Sequence, residues 1–444
     1  MEIMRRTLLS LSFVICHLSF SGAQTLEECQ QAAGLNYPLI RQYDLIGKTT
    51  DLTVKNISKG WLPQVSAQAQ ATWQSDVTAF PEQMQTLYQQ SGIDMKGLRK
   101  DQYRVGIDVQ QTVFDGGATK HTMEIARRQG AVEKAETEVT LYQVRRRVNE
   151  LYFGLLLIDE QIRLNNDLQT LLSSSEKKLR SMYEHGTAAE SDYLSVKAER
   201  LNVAQQATGL QSQRRALQTM LEAFCGSTKS SLNGGEITPV KPDINDQKGS
   251  LSPSIQEGNG GGFRPELQAI DAQLRLADAQ EKALGSSLMP KVSVFAQGFY
   301  GYPGYNLFDD MMRHQWSWNG MIGARLTWNI GALYSHKNDK AKIQLRRDMA
   351  VTSRDVFLFN NRLEQIQQNE DIERYRRLMA DDEEIIALRS SVRKAAESKL
   401  QHGIIDVNGL VKEINAENSA RVQKSVHEIE MLKEIYDLKF TTNN

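Results

Sequence analysis

One stretch, Pro63 to Gln74, constrains the fold more than any other part of the sequence. Apolar and polar residues alternate along it, and the apolar set is Val65, Ala67, Ala69, Ala71 and Trp73. A period of two is typical of a β-strand with two different faces. The polar face carries amides and hydroxyls, where a surface strand of a soluble domain would more often carry Lys and Glu. The pattern fits a wall between lipid and a water-filled lumen, and a soluble sandwich strand is the alternative for this segment alone.

Three further segments show the same alternation. They cover residues 103–113, 292–302 and 318–328, although Phe295 and Phe299 interrupt the pattern in the second of these. A strand of about ten residues tilted near 45° spans about 24 Å, which matches the apolar band of membrane barrels. The sequence therefore predicts four membrane strands per chain.

All five tryptophans fall at or near the predicted strand ends. They are Trp61, Trp73, Trp316, Trp318 and Trp328, with Tyr103, Tyr300 and Tyr302 beside them. Amphipathic rings at both ends of strands form the aromatic girdles of membrane barrels. We therefore expect Trp61, Trp73, Tyr103, Trp316, Trp318 and Trp328 to lie at the membrane interface.

Long helical patterns occupy most of the remaining chain. The pattern from Ala118 to Glu184 steps alternately by three and four residues on two faces, which indicates coiled-coil packing against neighbours on both sides. At 1.5 Å per residue it would form a rod of roughly 100 Å. A second pattern returns from Ser191 to Phe224, and residues 26–60 are helical with a break at Tyr37-Pro38. The polar stretch from Ser75 to Asp101 is predicted to be a loop.

The second half of the chain repeats the first. Leu62-Pro63 corresponds to Met289-Pro290 at an offset of 227, and His185-Gly186 corresponds to His402-Gly403 at an offset of 217. The difference places a ten-residue insertion in the first loop. The predicted organisation is a signal peptide (1–23), a first repeat (24–226), a linker (227–263), a second repeat (264–440) and a tail (441–444). Each repeat would supply two strands and one long helical hairpin.

The N-terminal residues read as a secretory signal. Arg5 and Arg6 precede an apolar core and a small-residue cleavage site, so the mature chain would begin near Gln24. The formal net charge of −1 gives no indication of nucleic-acid binding. Cys29 and Cys225 remain in the mature chain, and they could form a disulfide or serve as small buried hydrophobes.

Four strands cannot close a barrel around a pore, so the chain is expected to assemble. About eight strands are needed even for a barrel filled by side chains. Open strand edges in lipid must pair with other copies of the chain. Two copies would give eight strands and a plugged bore, while three would give twelve and a passage. A conducting assembly therefore predicts a homotrimer.

These features resemble the outer membrane efflux protein family of TolC type. The resemblance rests on Leu62-Pro63 and Met289-Pro290 before strands, Val113-Phe114-Asp115-Gly116-Gly117 after the second strand, and tip glycines Gly186 and Gly403, the first followed by Asp192-Tyr193-Leu194. It implies a mainly helical fold: an α-barrel of coiled-coil hairpins and a transmembrane β-barrel, four strands per chain in a trimer. It also implies an outer-membrane channel whose periplasmic end meets a periplasmic adaptor protein and an inner-membrane pump.

The two hairpin tips are the candidate functional site. In the family, aspartates just past the tip glycines line and latch the closed entrance, and Asp192 matches that pattern. Gly409 stands at the corresponding place in the second repeat, and the nearest carboxylate, Asp406, suits a helix N-cap. Asp192 is either a gate residue or a first-turn carboxylate favoured by the helix dipole. The entrance and docking candidates are His185, Gly186, Asp192, His402, Gly403 and Asp406.

Each predicted hairpin tip carries a histidine, and the sequence shows no catalytic motif. In a trimer, His185 and His402 would bring six imidazoles to the entrance, which allows a pH- or metal-sensitive gate, or they are exposed residues without a role. No cofactor, metal centre or catalysis is inferred. The sequence predicts a passive outer-membrane exit duct of a tripartite efflux or type I secretion system. The alternative is a soluble periplasmic coiled-coil scaffold or adaptor.

Overall fold

A computed structural model describes residues 23–95, 97–226, 237–243 and 264–443. The protein is mainly helical with a small antiparallel sheet of four strands, so the predicted mainly helical class with four strands per chain is confirmed. Nearly all of the predicted signal peptide (1–23) and most of the linker (227–263) lie outside the described residues.

The helices have the predicted long-hairpin pattern. They are α1 (Leu26–Asn36), α2 (Ile40–Ser58), α3 (Glu82–Gln90), α4 (Ala118–Glu184), α5 (Glu190–Cys225), α6 (Pro265–Ser287), α7 (Leu307–Arg313), α8 (Ala332–Gln401) and α9 (Val407–Thr442). Within the described part of the chain, no helix combines the length and apolarity that a membrane crossing requires.

The prediction of a plain loop between Ser75 and Asp101 is wrong, because α3 forms inside it. Pro81 occupies its N-cap, and the Phe80 ring before the helix packs against the Tyr88 ring in its last turn, at 5.6 Å between centroids. A helix of nine residues contains too few turns for its apolar periodicity to be recognised in the sequence.

The strands form two sheets. They are β1 (Ala23–Gln24), β2 (Gln64–Trp73), β3 (Asp101–Phe114), β4 (Thr238–Pro239), β5 (Lys291–Tyr302) and β6 (Ser317–Thr327). β1 pairs with β4 in parallel, whereas the larger sheet is antiparallel in the order β2-β3-β5-β6. Among the described residues, β2 and β6 each pair along one side only. The larger sheet therefore has two open edges.

The register brings most apolar residues of the four strands to one face. Ala67 is paired with Ile107, Ile107 with Gly298, and Gly298 with Gly320, and side chains two residues apart share a face. Much of this face is uncovered within the chain, since 82% of Trp318 and 84% of Ile322 are exposed. An exposed apolar face of this extent requires lipid or protein to cover it.

The segment after β3 is a capped turn. The Asp115 carboxylate accepts hydrogen bonds from the backbone N–H of Gly117 at 2.8 Å and of Thr119 at 2.7 Å, so it satisfies donors at the start of α4. Gly116 has φ 67° and its Cα faces Met289, whose Cβ would lie 2.3 Å from any added Cβ. The Asp-Gly-Gly turn of the first repeat therefore packs against the Met-Pro step that precedes β5.

Two hydrogen bonds near the strand ends occur at equivalent positions in the two halves of the chain. The side-chain amide of Gln111 donates to the carbonyl oxygen of Trp61 at 3.4 Å, and the indole N–H of Trp328 donates to that of Leu288 at 3.0 Å. Gln111 and Trp328 differ by 217, while Trp61 and Leu288 differ by 227. In each half of the chain, the end of the second strand is thus tied to the entry of the first.

The described residues form two compact units. One includes residues up to Tyr43, Glu136–Gln268 and residues from Arg354 onward, and the other includes Asp44–Ala135 and Ala269–Ser353. In the first, α1, α4, α5 and α9 enclose a core that contains the predicted heptad residues Val144, Val148, Leu151 and Leu155. The second contains the four-stranded sheet.

Candidate functional site

The first hairpin tip is a short turn between α4 and α5. Gly186 adopts the left-handed conformation at φ 68°, and its N–H donates to the Tyr183 carbonyl oxygen at 2.9 Å. The Thr187 N–H closes the turn on the Met182 carbonyl oxygen at 2.8 Å. This geometry satisfies carbonyl groups at the end of α4, and a Cβ is unfavourable at such a φ.

The second tip, between α8 and α9, has nearly the same geometry. Gly403 has φ 69°, and its N–H donates to the Leu400 carbonyl oxygen at 3.0 Å. The Ile404 N–H donates to the Lys399 carbonyl oxygen at 2.9 Å. Asp406 is the N-cap of α9, and its carboxylate accepts from the Gly409 N–H at 2.9 Å. The capping position predicted for Asp406 is therefore present, which ties its carboxylate to its own helix.

The two tip histidines occupy equivalent positions. A ring nitrogen of His185 lies 2.6 Å from the carbonyl oxygen of Ser181, and that of His402 lies 2.8 Å from the carbonyl oxygen of Ser398. Both side chains are exposed. Each histidine is therefore held against the end of its own helix, and the structure brings neither into contact with the other.

Asp192 lies in the first turn of α5, and its backbone N–H donates to the Ala189 carbonyl oxygen at 3.2 Å. Its side chain is half-buried. A carboxylate in this turn interacts favourably with the helix dipole, whichever of the two predicted roles it has.

Behind the tips, the two hairpins share an apolar core. It is formed by Leu168, Leu172, Leu179, Val196, Val203, Ala396, Val407, Leu410 and Ile414. The side-chain amide of Asn415 adds a polar link between hairpins, donating to the Glu199 carboxylate at 2.7 Å. Because α4, α5, α8 and α9 all contribute, movement of one hairpin against the other must disturb this core.

Sequence reasoning missed two ion pairs that brace the hairpins. Arg200 pairs with Glu176 at 2.5 Å in the first hairpin, and Arg393 pairs with Glu417 at 2.6 Å in the second. At the repeat offset of 217, Glu176 corresponds to Arg393, and Arg200 corresponds to Glu417. The acidic and basic members of the pair have therefore exchanged positions between the two hairpins. A search for opposite charges at that offset could have found them.

The second pair is the more buried of the two. Burial acts to raise the pKa of Glu417, but hydrogen bonds from Arg421 and Arg393 more than offset it and leave the pKa below its usual value. The carboxylate of Glu417 is therefore held ionised between two guanidinium groups.

The predicted interface aromatics lie at the two ends of the sheet. At the end formed by Tyr103 and Tyr300, ring centroids link Tyr103 to Trp316 at 6.0 Å, Trp316 to Tyr300 at 5.4 Å, and Tyr300 to Trp318 at 5.1 Å. Trp73 ends β2 at this same side of the sheet. Trp61 and Trp328 flank the opposite strand ends, before β2 and after β6.

The loops beside the first of these aromatic groups form a packed cluster that the sequence did not indicate. Met95, Leu98, Tyr302 and Met311 are buried together. The Tyr302 hydroxyl accepts from the Arg99 N–H at 3.0 Å and donates to the Asp310 carbonyl oxygen at 3.2 Å. The connection between β2 and β3 is thereby attached to the connection between β5 and β6.

The two cysteines are brought close together as thiols. Both are buried, and the Cys225 sulfur lies 3.7 Å from the Cys29 carbonyl oxygen. Within the described ranges, no group of three or more His, Cys, Asp or Glu side chains is arranged to hold a metal ion.

Comparison with known proteins finds a family match over part of the chain. Residues 49–227 match the family model described as outer membrane efflux protein. No curated protein sequence matches the chain significantly.

Solved structures extend the similarity over nearly the whole chain. The outer-membrane channel OprN is 14% identical with a TM-score of 0.66, and the match covers 94% of this chain and 89% of that chain. CusC, whose structures concern transmembrane channel formation, is 12% identical with a TM-score of 0.66 and coverages of 95% and 93%. VceC, an outer membrane protein of Vibrio cholerae, is 13% identical with a TM-score of 0.62 and coverages of 94% and 94%.

The predicted resemblance to the outer membrane efflux protein family agrees with the match over residues 49–227, and the fold is similar to that of OprN and CusC. OprN is an outer-membrane channel, and the CusC structures concern the formation of a transmembrane channel.

Proposed function

We propose that the protein is the exit duct of a tripartite efflux or type I secretion system, a passive homotrimeric channel through the outer membrane with a long periplasmic part. The observation that carries the proposal is the four-stranded sheet, whose apolar face is exposed and whose two edges are open. In lipid, unpaired backbone groups at such edges cost several kcal/mol each, so another strand must pair with them.

The strand directions support closure by copies of the same chain. The sheet is antiparallel throughout and has an even number of strands, so β6 of one copy and β2 of the next would also meet in antiparallel order. Three copies would give twelve strands and an open passage, whereas two would give a bore filled by side chains.

A stripe on α8 supports the same assembly. Val356, Phe359, Leu363 and Ile366 follow one another at steps of three and four residues, and each is at least 45% exposed. Their spacing is that of a coiled-coil seam that no helix of the described chain covers. A neighbouring copy would provide the missing helix and bury these side chains.

The repeat offers a mechanism for opening the duct. The offsets of 227 and 217 relate both hydrogen bonds at the strand ends, both left-handed tip glycines and the charge-exchanged ion pairs. We infer two equivalent hairpins that rotate slightly at the periplasmic entrance, where a periplasmic adaptor docks. Gly186, Gly403, His185, His402, Asp192 and Asp406 are the proposed entrance and docking residues. The energy for transport comes from an inner-membrane pump.

The test combines fractionation with conductance. The mature protein should be found in the outer membrane, remain a trimer in detergent and form channels in planar bilayers. A soluble periplasmic protein that forms no channels would instead support the adaptor alternative. Alanine at both His185 and His402 tests the entrance histidines, because only a variant with altered conductance between about pH 5.5 and 8 would support a pH-sensitive gate.

A further inference from the structure

The polar face of the four-stranded sheet has a net positive charge. It carries the side chains of Arg104, Asp108, Lys291 and Arg325, and the other residues of that face on β2, β3, β5 and β6 are uncharged. Three cations therefore stand against one carboxylate in each copy. The opposite face is the apolar one, so in the proposed barrel these charges lie on the side of the sheet turned away from lipid.

Two phenylalanines interrupt the polar face, and each lies over a glycine. Phe299 is paired with Gly106, and Phe295 with Gly323. A Cβ on Gly106 would lie 2.7 Å from the Phe299 Cβ, and one on Gly323 would lie 2.8 Å from the Phe295 ring. The glycines thus leave room for the rings to lie close against the sheet.

An arginine side chain lies over each of these rings. The guanidinium carbon of Arg104 lies 4.3 Å from the Phe299 ring centroid, and that of Arg325 lies 5.1 Å from the Phe295 centroid. Both arginines are exposed, and neither forms an ion pair within the described residues. A cation–π contact positions a guanidinium without neutralising it.

The two glycine-aromatic-arginine units occupy different levels of the sheet. Four residues separate Phe295 from Phe299, which corresponds to about 13 Å along a strand. Asp108 is paired with Gln297, which lies between the two levels. The separation exceeds the Debye length of about 8 Å at physiological salt, so the two levels act largely as independent positive sites.

We propose that Arg104 and Arg325 form an anion-binding region in the lumen of the barrel, and that its ligands are flat organic anions carrying sulfonate, carboxylate or phosphate groups. This inference rests on the proposed function, since the trimer turns each arginine into a ring of three. Guanidinium donors bind such groups bidentately, and the neighbouring Phe ring offers an apolar surface to an aromatic ligand. Fixed charges beside low-dielectric walls also raise the local anion concentration.

The test measures binding of pyrenetetrasulfonate to the detergent-solubilised protein by fluorescence anisotropy, and the anion-to-cation permeability ratio from reversal potentials in a KCl gradient. The double variant Arg104→Gln/Arg325→Gln should raise Kd about tenfold or more, as expected for the loss of charge-assisted hydrogen bonds. It should also lower the permeability ratio for anions. Asp108→Asn should change both quantities in the opposite direction.

The matched control is Arg99→Gln/Arg313→Gln. It removes the same number of positive charges, but these arginines pair with Asp101 at 2.5 Å and Asp309 at 3.0 Å outside the strands' polar face. The control should leave Kd within about twofold of the parent protein. Equal losses in the control and in the Arg104/Arg325 variant would overturn the assignment to these two residues.

The outcomes separate this inference from the proposed function. A protein that forms neither trimers nor channels refutes the duct itself. A conducting trimer whose probe affinity and ion preference do not respond to the Arg104/Arg325 and Asp108 variants refutes the anion site alone. If the double arginine variant does not assemble, Asp108→Asn decides the matter, since unchanged or weaker probe binding in that variant contradicts the proposal.

Discussion

At the scale of single residues, Arg264 contacts three aromatic rings, two carbonyl groups and a carboxylate. It lies over the rings of Tyr142, Phe357 and Phe440, with distances to the centroids of 4.9, 5.4 and 5.1 Å. It also donates to the carbonyl oxygens of Phe440 and Thr441 and pairs with Glu266 at 2.7 Å. One buried guanidinium therefore joins the start of α6 to the end of α9.

We expect Arg264→Ala to destabilise the protein by about 3 kcal/mol, because it leaves the Glu266 carboxylate and two carbonyl groups without their donor. Arg264→Lys should lose less, since it keeps the charge but not the planar fork. The check is the thermal midpoint in detergent, with the exposed Arg354→Ala as control. Equal midpoints for Arg264→Ala and Arg354→Ala would contradict this account.

Asp437 gives a pH-dependent prediction. Burial raises the pKa of its carboxyl, and the hydrogen bond from Asn149 only partly opposes that effect. A raised folded-state pKa means that the ionised form is disfavoured on folding, so stability is lost as pH rises through that pKa. Asp437→Asn should therefore melt higher than the parent at pH near 7.5, and the difference should shrink towards pH about 4. A variant that melts lower than the parent at neutral pH would refute the prediction.

Residue roles were predictable from the sequence only where the backbone dictates them. The left-handed conformations of Gly186 and Gly403 and the cap at Asp406 follow from local turn chemistry. The contacts of Arg264 do not, because its three rings come from parts of the chain more than 80 residues away. Only the packed helices bring them to the same guanidinium.

At the scale of elements, the turn from β3 into α4 can be tested with matched glycines. Gly116→Ala and Gly186→Ala impose similar strain, since φ is 67° and 68°. Only at Gly116 would the new Cβ meet another residue, at 2.3 Å from the Cβ of Met289, and nothing lies within 4 Å at Gly186. We expect a loss of about 1 kcal/mol at Gly186 and about 2 to 4 kcal/mol at Gly116, seen in thermal midpoints. A loss at Gly186 that equals or exceeds the loss at Gly116 would contradict the packing of this turn.

The charge-exchanged pairs permit a swap experiment. Glu176→Arg should destabilise the first hairpin by about 1 to 2 kcal/mol, and adding Arg200→Glu should restore most of that loss by creating the arrangement already present in the second hairpin. In the second hairpin, Arg393→Glu/Glu417→Arg should recover less, because Arg421 would then face another cation. Equal recovery in both hairpins would argue against a distinct role for Arg421.

The elements themselves were largely predictable. The sequence pattern placed α4 at Ala118 to Glu184, and the structure has the same limits, because a long heptad pattern with a terminal glycine defines both ends. The strands differ from prediction by one or two residues at most ends. Helices α3 and α7, which pack between strand ends, carry too few periods to stand out.

At the scale of the whole molecule, the apolar stripe on α8 is the feature that the proposed trimer would bury. We expect Phe359→Glu to reduce the trimer fraction in detergent by tenfold or more, because about 63% of this side chain is exposed in the single chain and a buried unpaired charge is costly. Asn360→Glu is the control, since it lies about 100° around the same helix. Equal trimer fractions for the two variants would remove the stripe from the interface.

The sequence predicted four strands per chain and, from the number of strands needed to close a barrel, the number of copies. It did not indicate which surfaces of the copies would contact each other or how their hairpins would align. Those depend on contacts between chains, and local patterns do not encode them. The alternation of Val65 to Trp73 predicts which side chains share a face of β2, but it does not identify the strand that would pair with the open edge of β2 in the proposed trimer.

We propose that further copies of the same chain complete the open four-stranded sheet into a closed barrel. The mass of the mature protein, extracted from outer membranes in detergent and measured by light scattering with the detergent contribution removed, tests it most directly. We expect three times the mass of the mature chain. A particle with the mass of one or two chains, stable and unaggregated at the same detergent concentration, would contradict it.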